Sequence, residues 1–90
     1  MNNHYSFPRT KFVDTTSIPR QLLHIGSEFW EIVKALVVGE REHAIEECFD
    51  LIHSAETLIR ILVQRSGYSI NPMVVKQGVE KKNRERNYYD

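Results

Sequence analysis

Apolar residues recur at helical spacing on both sides of Gly39, and no stretch of the chain alternates in the manner of a strand. Before the glycine stand Leu22, Ile25, Phe29, Ile32, Val33 and Leu36. After it stand Ala44, Cys48, Leu51, Ile52, Ala55, Leu58, Ile59 and Leu62. This periodicity predicts two long amphipathic helices joined by a short turn. The first begins near Ser17, a candidate N-cap with Pro19 tolerated in the first turn, and runs to Val38. The second starts between Glu40 and Glu42, where acids suit the positive end of the helix dipole, and continues to about Gln64, with Gly67 as its stop. Asn71-Pro72 reads as the N-cap and first residue of a shorter helix that carries Val75 and Val79 toward Arg86. Residues 1–16 mix Asn, Pro, Thr and isolated aromatics without a period, and read as an irregular arm ahead of a single all-α domain over 17–90.

A chain of 90 residues suffices for one domain but buries a modest fraction of its surface. One antiparallel hairpin does not cover its own apolar stripes, so hairpins from separate copies are expected to complete a four-helix-bundle core in a homodimer or homotetramer. The single Cys48 excludes an internal disulfide and a cysteine-based zinc cluster. It lies among apolar residues and reads as a buried, inert thiol, which fits a reducing cytoplasm. No apolar run approaches the length of a membrane span, so no membrane partner is expected. Charge balances at 12 bases and 12 acids, but acids dominate between Arg20 and Arg60 and bases from Ile61 onward. An acidic middle with a basic tail is a poor surface for nucleic acid and suits a metal-bound polyphosphate.

The acids carry the chemistry. At roughly 100° per residue, Glu28 sits at the edge of the first helix's apolar stripe with Glu31 just beyond, and Glu47 and Asp50 hold the matching positions on the second helix. Reversing one helix across a turn brings edges of matching hand to the same side of the hairpin. Height agrees with phase, because residue 39 is the midpoint both of Glu28 and Asp50 and of Glu31 and Glu47. Four carboxylates are therefore expected to share one rim across a helix spacing of about 8–10 Å. Either pair alone is commonplace on a solvated helix face; two pairs matched in phase and height are not. Such a rim repels itself unless a hard divalent cation compensates it, and an all-oxygen donor set favours Mg²⁺, with Mn²⁺ next.

Glu28-x-x-Glu31, a gap of fifteen residues, then Glu47-x-x-Asp50 resembles the signature of the MazG-like nucleotide pyrophosphohydrolases of the all-α nucleoside triphosphate pyrophosphatase superfamily. The flanking Glu28-Phe29-Trp30-Glu31-Ile32-Val33-Lys34-Ala35-Leu36 and Glu46-Glu47-Cys48-Phe49-Asp50-Leu51-Ile52 look like the family's two motif helices. The resemblance spans roughly Gln21 to Leu62. Length and the Lys82-Asn83-x-x-Arg86-x-Tyr88-Tyr89 ending look closest to short, phage-type members. It implies a nucleotide-pool hydrolase that cleaves a nucleoside triphosphate between the α and β phosphates, using Mg²⁺ held by Glu28, Glu31, Glu47 and Asp50. A carboxylate not fully committed to metal would take a proton from the attacking water, a role assigned to Glu31. A non-catalytic helical regulatory or oligomerisation module that keeps a metal-binding rim is the alternative.

On the third helix, Val75, Val79, Lys82, Asn83 and Arg86 share one face, from which Lys76 points away. If the valines dock, Lys82 and Arg86 meet phosphate oxygens and Asn83 adds a donor and an acceptor, a role the resemblance supports; a solvated amphipathic tail is the other reading. His24, one turn before Glu28, and nearby Gln21 are candidates for contacts to base or sugar, and Tyr88 for stacking on the base. Lys34 is placed to relieve repulsion at Glu31. Trp30 and Phe49 face away from the acids and await cover from a subunit or from the arm. Glu40, Glu42, Glu46 and Glu56 read as surface charges. Nothing in the chain resembles a glycine-rich phosphate loop or a Ser or Cys nucleophile with its base.

Overall fold

The structure is a computed structural model that describes residues 5–90; the part of the expected arm formed by residues 1–4 lies outside the described residues. Four helices follow one another: α1 (Phe12–Thr15), α2 (Ile18–Val37), α3 (Arg41–Arg65) and α4 (Pro72–Glu85). No strand occurs among the described residues, and none of their helices is long and apolar enough to cross a membrane. The two long helices and the shorter one fall where the periodicity puts them. The arm is less irregular than its composition suggests, because α1 forms a single turn of helix inside it.

Local chemistry explains the boundaries. Ser17 caps α2 by accepting the amide of Arg20 at 3.2 Å, and Asn71 caps α4 by accepting that of Met73 at 3.0 Å. Gly39 ends α2 at φ 78°, a conformation natural to glycine and costly for other residues. It permits two bonds across the turn, Gly39 N to Leu36 O at 3.1 Å and Glu40 N to Ala35 O at 2.9 Å. The same pair of bonds closes α3 at Gly67 and α4 at Asn87, both also in the left-handed region.

The helices α2 and α3 pack as an antiparallel hairpin along a seam of small and polar groups. Gln21 and Ala35 from α2, and Ala44, Ser54, Thr57 and Ile61 from α3, are buried. Gln21 reaches across the seam and donates from Nε2 to the Ser54 carbonyl at 2.9 Å. Small residues let the axes approach, but they leave the large apolar side chains beside the seam rather than in it. Leu22, Phe29 and Leu36 on α2 and Ile45, Ile52 and Ile59 on α3 are all more than 40 % exposed. They pair off symmetrically about the turn and, at about 100° per residue, fall on the flank of the seam away from Glu31 and Asp50. Cys48 is exposed rather than buried, because the seam takes its neighbours Glu47 and Leu51 instead.

The arm lies along another face of α3. Glu56, expected at the surface, is 8 % exposed and accepts the amides of Ser6 at 2.7 Å and Phe7 at 2.9 Å. Arg60 donates to the Phe7 carbonyl at 2.9 Å, and its guanidinium lies 4.0 Å from the centre of the Tyr5 ring. Phe7 stacks on His53 and meets Phe49 edge-on, but Phe49 stays 55 % exposed and Trp30 59 % exposed, so the arm gives Phe49 only part of the expected cover. Val13 of α1 is buried, and Asp14 accepts from Gln64 at 3.1 Å. By contrast α4 stands off, facing Ile59, Leu62 and Val63 with Pro72, Val75, Lys76 and Val79 across a groove of 520 Å³. Lys76 therefore belongs to the face that addresses α3, not the opposite one, since Pro72, Val75, Lys76 and Val79 follow the i, i+3, i+4, i+7 spacing.

Glu56→Ala removes both acceptors of the arm and is expected to cost about 1–3 kcal/mol in urea unfolding, because two amides lose a charged partner at a covered site. Trypsin should then cut faster after Arg9 and Lys11, with Glu56→Gln intermediate.

Candidate metal centre

The hairpin brings three of the four rim acids together. Glu28 from α2 and Glu47 and Asp50 from α3 each offer a carboxylate oxygen, all within 4.8 Å of one another. The Glu28 and Glu47 side chains are only 16 % and 13 % exposed, whereas Asp50 stands open to solvent. Glu31 is outside this set. Its carboxylate, 45 % exposed, pairs with Lys34 Nζ at 2.9 Å, the relief of repulsion expected of that lysine. A one-turn step along α2 accounts for the difference: Glu28 belongs to the seam, and Glu31 lies farther round the helix toward solvent.

Two histidines flank the acids in equivalent positions. His24 Nε2 is 3.0 Å from Glu28 Oε1, and His43 Nε2 is 3.9 Å from Glu47 Oε1. His43 also holds Glu46 through Nδ1 at 3.3 Å, and that bond, with the surrounding acids, raises its pKa above the usual histidine value. His43 went unselected in the sequence although the signal was present: it precedes Glu47 by four residues, as His24 precedes Glu28. Burial, followed by the charges of Asp50, Glu47 and Glu31, pushes the Glu28 carboxyl up, with His24 opposing. The centre therefore concentrates negative charge on partly desolvated groups, a donor set that a hard cation fits.

A pocket of 130 Å³ adjoins the acids. Glu28, Asp50 and His24 form one part of its wall, with Thr10, Phe12, Gln21, His53, Ser54 and Thr57 completing it. Gln21 lines it but is committed to the Ser54 carbonyl, which sets the relative height of the two helices. Phe12, Thr10 and His53 were not singled out by periodicity, because an aperiodic arm gives no indication of which helix it will cross.

The basic tail stays separate within one chain. Among the described residues, no pocket, hydrogen bond or ion pair joins Lys82, Asn83, Arg86 or Tyr88 to the carboxylates. Asn83 is half-buried, Lys82, Arg86 and Tyr88 are exposed, and Asn83 accepts the Tyr88 amide at 3.0 Å through its carbonyl. The valines of α4 instead address the far half of α3. The chain matches no family model, no curated protein and no solved structure.

A carboxyl whose pKa is raised on folding binds its proton more tightly in the native state. The stability this one group contributes is therefore fully present below the ordinary value of 4.5 and is lost as pH climbs above it through the raised value. In chelator, Glu28→Gln should accordingly raise the melting temperature at neutral pH, and the gain should vanish in scans below pH 4.5.

Proposed function

We propose that the chain is a Mg²⁺-dependent nucleoside triphosphate pyrophosphohydrolase, related to the MazG-like enzymes its motifs resemble. The observation that carries this reading is the convergence of Glu28, Glu47 and Asp50 from two helices onto one point. These three residues would hold the cation, with Mn²⁺ an acceptable substitute for an all-oxygen set. When bound, the metal supplies positive charge to offset that of the polyphosphate. Glu31 lies outside the converging set and pairs with Lys34 at the rim, beside the cation rather than on it, and would accept the proton of the attacking water. Water oxygen then bonds to the α phosphorus, the bond from that phosphorus to the bridging oxygen breaks, and monophosphate and pyrophosphate leave. His24 braces Glu28 and lines the adjoining pocket, within reach of substrate. Lys82, Asn83, Arg86 and Tyr88 meet phosphates and base from an α4 brought up by assembly or by closure of the groove beside α3.

The open apolar side of the hairpin supports a homo-oligomer. Leu22, Phe29 and Leu36 with Ile45 and Ile52 suit a second hairpin laid across them, completing a four-helix bundle, whereas Ile59 faces the groove beside α4. The same face also favours the alternative of a non-catalytic oligomerisation module, and turnover separates the two. A panel of nucleoside triphosphates should release pyrophosphate only with Mg²⁺ or Mn²⁺, and Glu47→Gln or Asp50→Asn should lower the rate by about a hundredfold or more. Glu31→Gln should lower kcat by about 10²–10⁴-fold while Mn²⁺ binding persists. Metal-dependent release from no nucleotide sinks the enzyme.

Sedimentation should give a multiple of 10.6 kDa, and Phe29→Asp with Ile52→Asp should give the monomer. A monomeric wild type removes the bundle from the proposal.

A further inference from the structure

Two exposed stripes on the hairpin repeat every seven residues, Leu22, Phe29 and Leu36 on α2 and Ile45, Ile52 and Ile59 on α3. A seven-residue repeat keeps one seam facing a partner helix along its length. The α3 stripe ends in the groove beside α4, where Ile59 forms part of the wall, so whatever covers Ile45 and Ile52 continues toward that groove. At its other end the face stops at an apolar tip, Val37 and Val38, both exposed and immediately before Gly39. One end of the face thus has a cavity and the other a projection.

The helix that walls the cavity lacks support of its own. None of the 14 residues of α4 is buried. Isolated helices shorter than about 12–15 residues are marginal in water, and Val74, Val75, Gly78 and Val79 lower the propensity of this one further. Its loop and the Asn71 cap aim it but do not pack it. Between its Val75 and Val79 and the Ile59, Leu62 and Val63 of α3 lies a space of 520 Å³. One turn of helix, about 10–12 Å across and about 5.4 Å long, fills roughly 400–600 Å³, so the groove takes the end of a hairpin rather than a helix running through it. Lys76 stands in the same wall with no ion-pair partner among the described residues, and the tip is followed by Glu40 and Glu42.

We infer that the groove between α3 and α4 receives the turn of a second copy of the chain, with Val37 and Val38 of the partner subunit against Ile59, Leu62, Val75 and Val79. This rests on the homo-oligomer proposed above and gives it a direction. A two-fold axis crossing the hairpin at the level of Phe29 and Ile52 seats both tips in both grooves at once, as a self-complementary contact requires. An axis along the hairpin would instead bring groove to groove and leave both tips bare. In the crossed arrangement α4 clasps the partner's turn, and Lys76 faces Glu40 and Glu42 of the partner subunit.

Cross-linking of the full chain with a short bismaleimide, in a Cys48→Ser background, tests the direction. Val38→Cys and Val75→Cys lie at opposite ends of the hairpin, about 30 Å apart along its axis, too far to link within one chain. Combined in one chain they should give a covalent dimer, and a mixture of the two single variants should give a singly linked one, while neither single variant links to itself. Linking by Val75→Cys alone would show the grooves meeting and overturn the assignment, as would a double variant that stays unlinked. Val75→Asp with Val79→Asp, which leaves the hairpin seam untouched, should weaken dimerisation about tenfold or more in sedimentation, and unchanged dimerisation would refute the clasp. A dimer that depends on Phe29 and Ile52 yet fails both tests would leave the four-helix bundle standing without the clasp, whereas a monomeric wild type would remove both.

Discussion

The reversal at Gly39 sets the height of every residue on α3 against α2. A left-handed residue there closes two carbonyls of α2 with the amides of Gly39 and Glu40 and starts α3 without an intervening loop. With so short a connection the helices have little freedom to slide, and the Gln21 bond to Ser54 fastens the far end of the seam. A shift of one turn, about 5.4 Å, would separate Glu28 from Glu47 and Asp50. Convergence of the acids is thus a consequence of a backbone turn and a buried amide, neither of which supplies a carboxylate to the cluster.

The seam also explains why charge and apolar surface end on opposite sides. Small residues at the axis bring the helices close, and Glu28 and Glu47 occupy seam positions that an apolar side chain would otherwise fill. Burial first, and then the neighbouring carboxylates, push the Glu28 carboxyl up, and His24, Lys34 and His43 stand around the rim as its counter-groups. The compensating apolar surface, Phe29 and Ile52 at its middle, is left largely exposed by the described residues. A protein of this size stabilised by so small a seam benefits from covering that face.

Around α3 the arm supplies what the hairpin lacks. Glu56 and Arg60 bind it through backbone groups, and its position places Thr10 and Phe12 beside the acids. A segment that contributes little regular structure thereby shapes the polar pocket next to the centre.

The sequence by itself determined what depends on local interactions and period. Ser17, Asn71, Gly39 and Gly67 mark helix ends because caps and left-handed turns are chosen by nearby residues, and the matched phase of the two acid pairs was legible from spacing alone. Only the tertiary structure decided which residues at a stripe's edge enter the seam. It drew Glu28, Glu47 and Asp50 together and left Glu31 with Lys34, a distinction of partial turns that an ideal helical wheel blurs. It buried Glu56, exposed Cys48 and turned Lys76 toward α3, because burial depends on which element crosses a face. The path of the arm belongs to the same class: its contacts join residues some fifty positions apart, and no local pattern encodes a partner at that distance.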